Sequence, residues 1–351
     1  MRAASSFEWA SGARVIDDAG VSRNVRRKPP AEALHGLWSP NVRRTCLIFT
    51  EWTDTMTTMR STLTRAAVCA AVLTSMGTAL AAPAGAAPAR LVEPVDYVAL
   101  GDSAAAAPWV PMQVASSPGC QRSTNNYPSV LAQTLSVAST TDVTCSSAET
   151  ADIVSRSQGT QTGPVPPQIT AVTPDTDLVT ITIGGNDVAL VQVALSCISL
   201  IPPSDRAPSC ADRFVVDGVD TVSASISARV PEWTAMVRAV KDAAPEARIV
   251  LVSYGTYIRP GGCFPTQPLQ PADADYLQGK TDELNETQAH IAEVTGVEFF
   301  DTRPVTVGHD VCAEPSERYI EGLIPASVAA PLHPNKAGSA AIGAALAEYV
   351  Q

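Results

Sequence analysis

Five short runs of apolar and β-branched residues punctuate the chain: "VDYVAL" (95–100), "TDVTC" (141–145), "DLVTITI" (177–183), "ARIVLVSY" (247–254) and "VEFFD" (297–301). Runs this short and this nearly continuous suit strands of a parallel sheet, whose two faces are both covered. Between them the apolar period lengthens to that of helices. In "NYPSVLAQTLS", Tyr127, Val130, Leu131 and Leu135 fall on one face. Longer amphipathic stretches occupy 217–245 and 273–296, and "NKAGSAAIGAALAEYV" (335–350) closes the chain. Strands alternating with helices predict an α/β domain over 95–351, with a parallel sheet between two helical layers. The Pro-rich "CISLIPPSDRAPSC" (197–210) and "RPGGCFPTQP" (259–268) read as loops after the third and fourth strands. Such loops, at the carboxyl ends of parallel strands, are where open α/β sheets place their sites.

Upstream the pattern is different. From Met59, "MRSTLTRAAVCAAVLTSMGTALAAPAGAAPA" offers basic Arg60 and Arg65, an apolar core from Ala66 to Leu80 and small residues suited to cleavage. That is the layout of a secretory signal over 59–86, and its apolar core is shorter than the roughly 20 residues a membrane span requires. A signal begins at an initiator, so Met59 or Met56 is the expected start, with residues 1–58 a mis-assigned or disordered extension and 87–94 a linker. The 351-residue chain carries a formal charge of −11. Residues 82–351 hold 14 Lys and Arg against 29 Asp and Glu, a balance of −15. Such a surface repels phosphate backbones, which excludes nucleic acid as the main partner. Cys120, Cys145, Cys197, Cys210, Cys263 and Cys312 remain beyond the leader; an even number in an exported chain favours three disulfides. No C-x-x-C pair is present to suggest a zinc cluster. Six cysteines allow 15 pairings, and sequence alone does not choose among them.

Three stretches can carry chemistry. The first strand ends in Gly101-Asp102-Ser103, which puts a serine at the sheet's rim and the start of a helix. Ser103 there is either a nucleophile or a helix cap, and Ala105 rules out the G-x-S-x-G elbow. The third strand ends in Gly184-Gly185-Asn186-Asp187, a turn able to present an amide donor. Near the end, His333 stands between Pro331 and Pro334, beside Leu332. A nucleophile needs a base and a positioned donor for the developing oxyanion, and Ser103, His333 and Asn186 all lie at or beside carboxyl strand ends. His290, within a helix, is expected to be exposed. His309, near Cys312, is expected to pack or hydrogen-bond near the rim. Four alanines follow Ser103, and they are expected to open space for an acyl chain.

Gly101-Asp102-Ser103, Gly184-Gly185-Asn186-Asp187 and His333-Pro334-Asn335 resemble, in order, the blocks of the SGNH/GDSL hydrolase superfamily. The six-cysteine layout, "GHDVC" (308–312) and "VPPQ" (165–168) resemble more narrowly its secreted actinobacterial lipases and esterases. The resemblance covers residues 95–351. It implies a flavodoxin-like three-layer α/β/α sandwich around a five-stranded parallel sheet, working without cofactor or metal through an acyl-serine. By position, Ser103 is the nucleophile and His333 the general base. Asn186 and the backbone N–H of Ser103 are oxyanion donors. A third donor in the family comes from a glycine; here Ser147 holds that place, so its φ must accommodate a Cβ. Where the family has Asp three residues before the histidine, this chain has Ala330. The resemblance therefore implies a dyad whose imidazole is oriented by a backbone carbonyl near Ala330, a weaker stabiliser of imidazolium than a carboxylate. It also implies the pairs Cys120–Cys145, Cys197–Cys210 and Cys263–Cys312. Asp102 and Asp187 are assigned to holding loops.

The expectation is a secreted, monomeric serine esterase or lipase acting on small-molecule or lipid esters, with no stable membrane insertion once the signal is removed. A carbohydrate or cell-wall O-acyl esterase shares every one of these residues. A non-catalytic exported binding protein would retain the fold without the reaction.

Overall fold

Strand β1 (Asp96–Gly101) shows how the pattern becomes a layered core. Successive side chains of a strand point to opposite faces. Val98 and Leu100 join one buried cluster, while Tyr97 and Ala99 join another. The computed structural model describes Leu91 and residues 94–204 and 208–351. The expected leader and extension lie outside the described residues, as does most of the expected linker. The described residues all fall within one compact unit, Leu80–Gln351.

After β1 come α1 (Ser103–Ala106), α2 (Tyr127–Leu135), β2 (Ser139–Asp142) and α3 (Thr150–Val154). A small hairpin, β3 (Gln158–Thr160) and β4 (Gly163–Val165), precedes β5 (Leu178–Thr182) and α4 (Leu190–Ser196). A second hairpin, β6 (Val215–Val216) and β7 (Val219–Asp220), leads into α5 (Thr221–Ala243). The chain finishes with β8 (Arg248–Val252), α6 (Pro271–Thr295), β9 (Glu298–Phe300), α7 (Arg303–Thr306) and α8 (Lys336–Val350).

The central sheet has the order β2-β1-β5-β8-β9, and every neighbouring pair is parallel. The first strand thus sits between β2 and β5, where the direction of sheet growth reverses. Ligand crevices of open α/β sheets form at the carboxyl ends of such a switch. Helices α5 and α6 cover one face through Ile226, Trp233, Met236, Leu284 and Ile291. Helices α2 and α8 cover the other through Tyr127, Leu131, Ile342 and Leu346. Trp233 is fully buried, and removing a side chain of that size from water contributes on the order of 3 kcal/mol. Two tyrosine hydroxyls inside the sandwich are paired: that of Tyr97 meets Thr180 Oγ1 at 2.6 Å, and that of Tyr127 meets Thr182 Oγ1 at 2.9 Å.

Four of the five expected strands form within a few residues of their predicted bounds. The second departs further, pairing over 139–142 rather than 141–145. The Asp142 carboxylate accepts from Asn126 Nδ2 at 2.7 Å and from Thr144 N and Oγ1 at 3.0 and 2.7 Å, which draws the chain out of the ladder. Val143 N and Cys145 N still donate to Ala99 O and Gly101 O, so the stretch continues beside β1 as irregular extended backbone. The helix expected from residue 217 begins at Thr221, because Asp220 caps it by accepting from Val222 N and Ser223 N. The cysteines pair as Cys120–Cys145, Cys197–Cys210 and Cys263–Cys312. No helix among the described residues is long and apolar enough to cross a membrane.

Candidate active site

The site begins at Gly101, whose φ of 151° lies in a region that L side chains rarely adopt. A Cβ there would stand 2.6 Å from Thr182 O. That close approach lets Asp102 N donate to Thr182 O at 2.9 Å. Gln168 clamps the turn from the side, accepting from Gly101 N at 2.7 Å and donating to Gly101 O at 2.9 Å. The next residue resolves the ambiguity over Ser103. Asp102, not Ser103, caps α1, accepting from Ala104 N through Oδ1 at 2.8 Å. Ser103 is the first helical residue and its hydroxyl is free for another partner.

That partner is His333. Its Nε2 lies 2.7 Å from Ser103 Oγ, across 230 residues of sequence. Its Nδ1 lies 2.7 Å from Pro331 O. The orienting carbonyl is therefore that of Pro331 and not of Ala330. Ala330 is held away, its N–H donating to Pro108 O at 3.0 Å. Leu332, at a φ of 61°, then turns the chain so that the ring meets the carbonyl two residues back. A carbonyl only accepts, so Nδ1 carries the hydrogen and Nε2 presents its lone pair to the serine hydroxyl. Withdrawal from water holds the imidazole pKa below 6.5, with the Pro331 carbonyl opposing that shift.

A left-handed φ at a non-glycine residue is strained and persists only where surroundings enforce it. Glu321 supplies that enforcement. Its N–H donates to His333 O at 3.0 Å, and its carbonyl accepts from Leu332 N at 2.9 Å. Its carboxylate, fully buried, accepts from Asn335 Nδ2 at 2.8 Å, Ala326 N at 2.7 Å and Ser327 Oγ at 2.6 Å. Burial alone would raise the Glu321 pKa, but these donors and Arg318 hold it below 4.5. Asn335 also caps α8 through Gly338 N, so one carboxylate ties the histidine loop to the helix that follows.

The Gly184–Asp187 turn after β5 faces Ser103 from the other side of the switch. Asn186 Nδ2 donates to Ala148 O at 2.9 Å, which fixes the amide and leaves its second N–H uncommitted. Asp187 is structural, accepting from Thr150 N and Oγ1 at 3.0 and 2.7 Å and from Trp233 Nε1 at 3.0 Å. Gly185 matters for proximity: a Cβ there would lie 3.0 Å from the Tyr254 hydroxyl. Gly185 N donates to that hydroxyl at 2.8 Å, and the hydroxyl donates to Asp102 Oδ2 at 2.5 Å. Tyr254 thereby joins the serine turn to the asparagine turn. Burial pushes the Asp102 carboxyl up to about 7, with the donors Tyr254 and Ala104 opposing.

Ser103, Asn186 and His333 line one cleft of about 660 Å³, including the volume open to solvent. Its walls are mostly apolar, with Leu190, Val191 and Ala194 from α4, Leu277 from α6, and Tyr257, Ile258 and Leu332 from loops, beside the polar Gln278 and Thr281 of α6. Of the four alanines only Ala104 lines this cleft; Ala105, Ala106 and Ala107 are buried in packing and open no space. Ser147 lies outside the cleft lining and is exposed. Its φ of 65° is the left-handed geometry that a glycine would adopt freely. His309 stacks on Tyr319 at 3.9 Å between ring centroids and meets Glu317 O through Nδ1, outside the cleft. His290 is exposed on α6. Tyr254 and Glu321 are absent from the residues singled out in sequence, because each acts on partners distant along the chain.

Residues 99–341 match the model of the GDSL-like lipase/acylhydrolase family. The chain is 37% identical over 263 residues to Lipase 2 of Streptomyces coelicolor, covering 73% of this chain and 86% of that protein. It is 29% identical over 251 residues to a lipase of Streptomyces rimosus, covering 71% and 85%. Among solved structures, an extracellular lipase from Streptomyces rimosus superposes with a TM-score of 0.60 at 25% identity, over 73% of this chain and all of that one. Phospholipase A1 from Streptomyces albidoflavus shares the fold, with a TM-score of 0.60 at 24% identity over 73% and 98%. With three sequence blocks placed on one rim of a five-stranded parallel sheet, the chain belongs to the GDSL-like lipase/acylhydrolase family and is a carboxylic ester hydrolase.

Proposed function

We propose that hydrolysis runs through an acyl-serine formed by a Ser103–His333 dyad. The observation that carries this reading is the 2.7 Å contact between His333 Nε2 and Ser103 Oγ, with the opposite ring nitrogen held by a carbonyl. As Ser103 Oγ attacks the ester carbonyl, Nε2 takes the hydroxyl proton and later delivers it to the departing alkoxide. A water then repeats the sequence on the acyl-serine and regenerates the hydroxyl. Negative charge on the carbonyl oxygen is taken up by the Ser103 N–H, an Asn186 side-chain N–H and the Ser147 N–H. The Ser103 and Ser147 N–H groups find no acceptor among the described residues. The Pro331 carbonyl fixes the tautomer and ring angle; it carries no charge, so it contributes orientation more than stabilisation of the imidazolium.

The apolar walls of the cleft fit an acyl chain, which favours lipid or other acyl esters over O-acyl sugars as substrates. Three disulfides, the signal-like segment over 59–86 and kinship with an extracellular lipase support secretion, with residues 95–351 as the hydrolase domain. Steady-state hydrolysis of p-nitrophenyl acetate, butyrate, octanoate and palmitate by the protein and its Ser103→Ala variant tests the reading. Loss of turnover on every ester in the variant is expected; retained turnover would remove Ser103 from the nucleophile's role.

A further inference from the structure

Exposed large apolar side chains are ordinary when scattered and informative when gathered on one face. Among the described residues fourteen such side chains are exposed, and only Val294 and Tyr349 lie near the amino-end rim of the sheet. The other twelve all fall in three segments that leave the carboxyl end of a strand and precede the helix that returns over the sheet: 102–126, 183–220 and 301–335. Because every strand of the sheet is parallel, these segments crown the single rim that carries Ser103.

From this we infer that the catalytic rim is a docking face for an uncharged or zwitterionic lipid surface, and that Leu200 and Ile201 lead its insertion. This rests on the reading of Ser103 as the nucleophile only for its orientation. Leu200 is 83% exposed and Ile201 58%. They are displayed on a fastened loop: Ser199 N donates to Pro268 O at 2.8 Å, Gln270 Nε2 donates to Ile201 O at 2.5 Å, and Cys197–Cys210 closes the base. Beside it, the β6–β7 hairpin shows Val216 at 53%, and Arg213 ties the two by donating to Ser196 O. Trp109 at 53% and Val328 at 67% stand on two further rim loops, which the Ala330 N–H joins by donating to Pro108 O at 3.0 Å. The apolar surface is continuous with the cleft, since α4 carries Ala194 in its wall and Leu195 on the exterior.

Charge selects the kind of surface. Residues 82–351 carry 14 Lys and Arg against 29 Asp and Glu, and the hairpin holds one of these acids, Asp217, at its turn. A negatively charged membrane attracts basic patches and repels a face of this sign. A phosphatidylcholine bilayer offers the apolar depth without the repulsion, and adsorption scales with the apolar area buried.

The test uses the full chain bearing Ser103→Ala, so that lipid is not consumed, and sedimentation with sucrose-loaded vesicles. Partition onto phosphatidylcholine vesicles is expected, weakened when phosphatidylglycerol is included at low salt. Adding Leu200→Asp and Ile201→Asp should lower the partition coefficient about tenfold or more. The same two substitutions in the Ser103 protein should leave turnover of soluble p-nitrophenyl butyrate unchanged, which shows an intact fold. No partition onto phosphatidylcholine, partition that survives both aspartates, or partition that needs phosphatidylglycerol would each overturn the proposal. So would a dimer, seen by light scattering and dissolved by the two aspartates, because the face would then belong to a second copy. Adsorption is read on an inert serine variant, so a failure here is separate from a failure of the acyl-serine reading, which soluble-ester turnover decides.

Discussion

Replacing Tyr254 by Phe removes one oxygen and keeps the ring, so it isolates the bridge between the two turns of the site. The lost oxygen donates to the buried Asp102 carboxylate at 2.5 Å and accepts from Gly185 N at 2.8 Å. A hydrogen bond to a carboxylate contributes about 1.5–3 kcal/mol and a neutral one about 0.5–1.5, so stability should fall by about 2–4.5 kcal/mol. In a domain of this size that lowers the melting temperature on the order of 10 °C. The catalytic consequence is separable from this loss. Removing an oxyanion donor outright costs about 10²–10³ in kcat. Freeing the turn that aims Asn186 should cost less, about tenfold to a hundredfold in kcat with little change in KM. The assay is steady-state hydrolysis of p-nitrophenyl butyrate, well below the melting temperature, by Tyr254→Phe, Asn186→Ala and the double variant. If Tyr254 acts through the Asn186 turn, the two losses should be less than additive, with a coupling of about 0.5 kcal/mol or more. An unchanged kcat beside a lowered melting temperature, or strictly additive losses, would show that Tyr254 only packs and would refute the bridging argument.

Other outcomes follow from the same geometry. Burial holds the His333 pKa below 6.5, and the neutral ring is the active base. The acid limb of kcat/KM should therefore inflect below pH 6.5, with rate lost as pH falls through that point; an inflection above 6.5 would contradict the assignment. The stability sign agrees: the unfolded chain binds its proton first, so the folded form loses stability as pH drops from 6.5 through the lower value. Glu321→Ala strands Asn335 Nδ2, Ala326 N and Ser327 Oγ around a cavity, which should cost about 3–5 kcal/mol in urea unfolding. Glu321→Gln keeps one acceptor oxygen and should recover part of both stability and kcat; equal defects in the two variants would remove the hydrogen-bonding explanation. Gln168→Ala frees Gly101 N and leaves Gly101 O with the Cys145 N–H alone, and should destabilise by about 1–3 kcal/mol, measured the same way.

Ser103 and Asn186 were legible in the sequence because each sits in a short block beside a strand end, where local chain geometry already determines where it points. Ser103 and Asn186 follow β1 and β5 directly, and the two strands pair with each other. The apolar runs also gave the strand positions, because a strand covered on both faces has no room for polar alternation. Asp142 shows where this fails. Its three donors, two from Thr144 and one from Asn126, compete with the ladder, and no apolar pattern registers such a side chain. The orienting carbonyl was misplaced by one residue because backbone acceptors leave no trace in residue identity; a left-handed Leu332 decided between Ala330 and Pro331. Tyr254 and Glu321 were invisible for a related reason. Tyr254 meets Asp102 across 152 residues, and nothing in "VSYGT" (252–256) distinguishes it from an ordinary buried tyrosine. The alanines after Ser103 misled in the opposite sense. Small residues next to a nucleophile suggested space, whereas Ala105 packs against the Gly101 turn.

The dyad itself is tested most directly by intact-mass analysis and peptide mapping after reaction with a fluorophosphonate ester. The geometry predicts a single adduct on Ser103, absent in Ser103→Ala and formed far more slowly in His333→Ala. An unlabelled wild-type protein that hydrolyses esters, or an adduct on another residue, would contradict the assignment of the nucleophile.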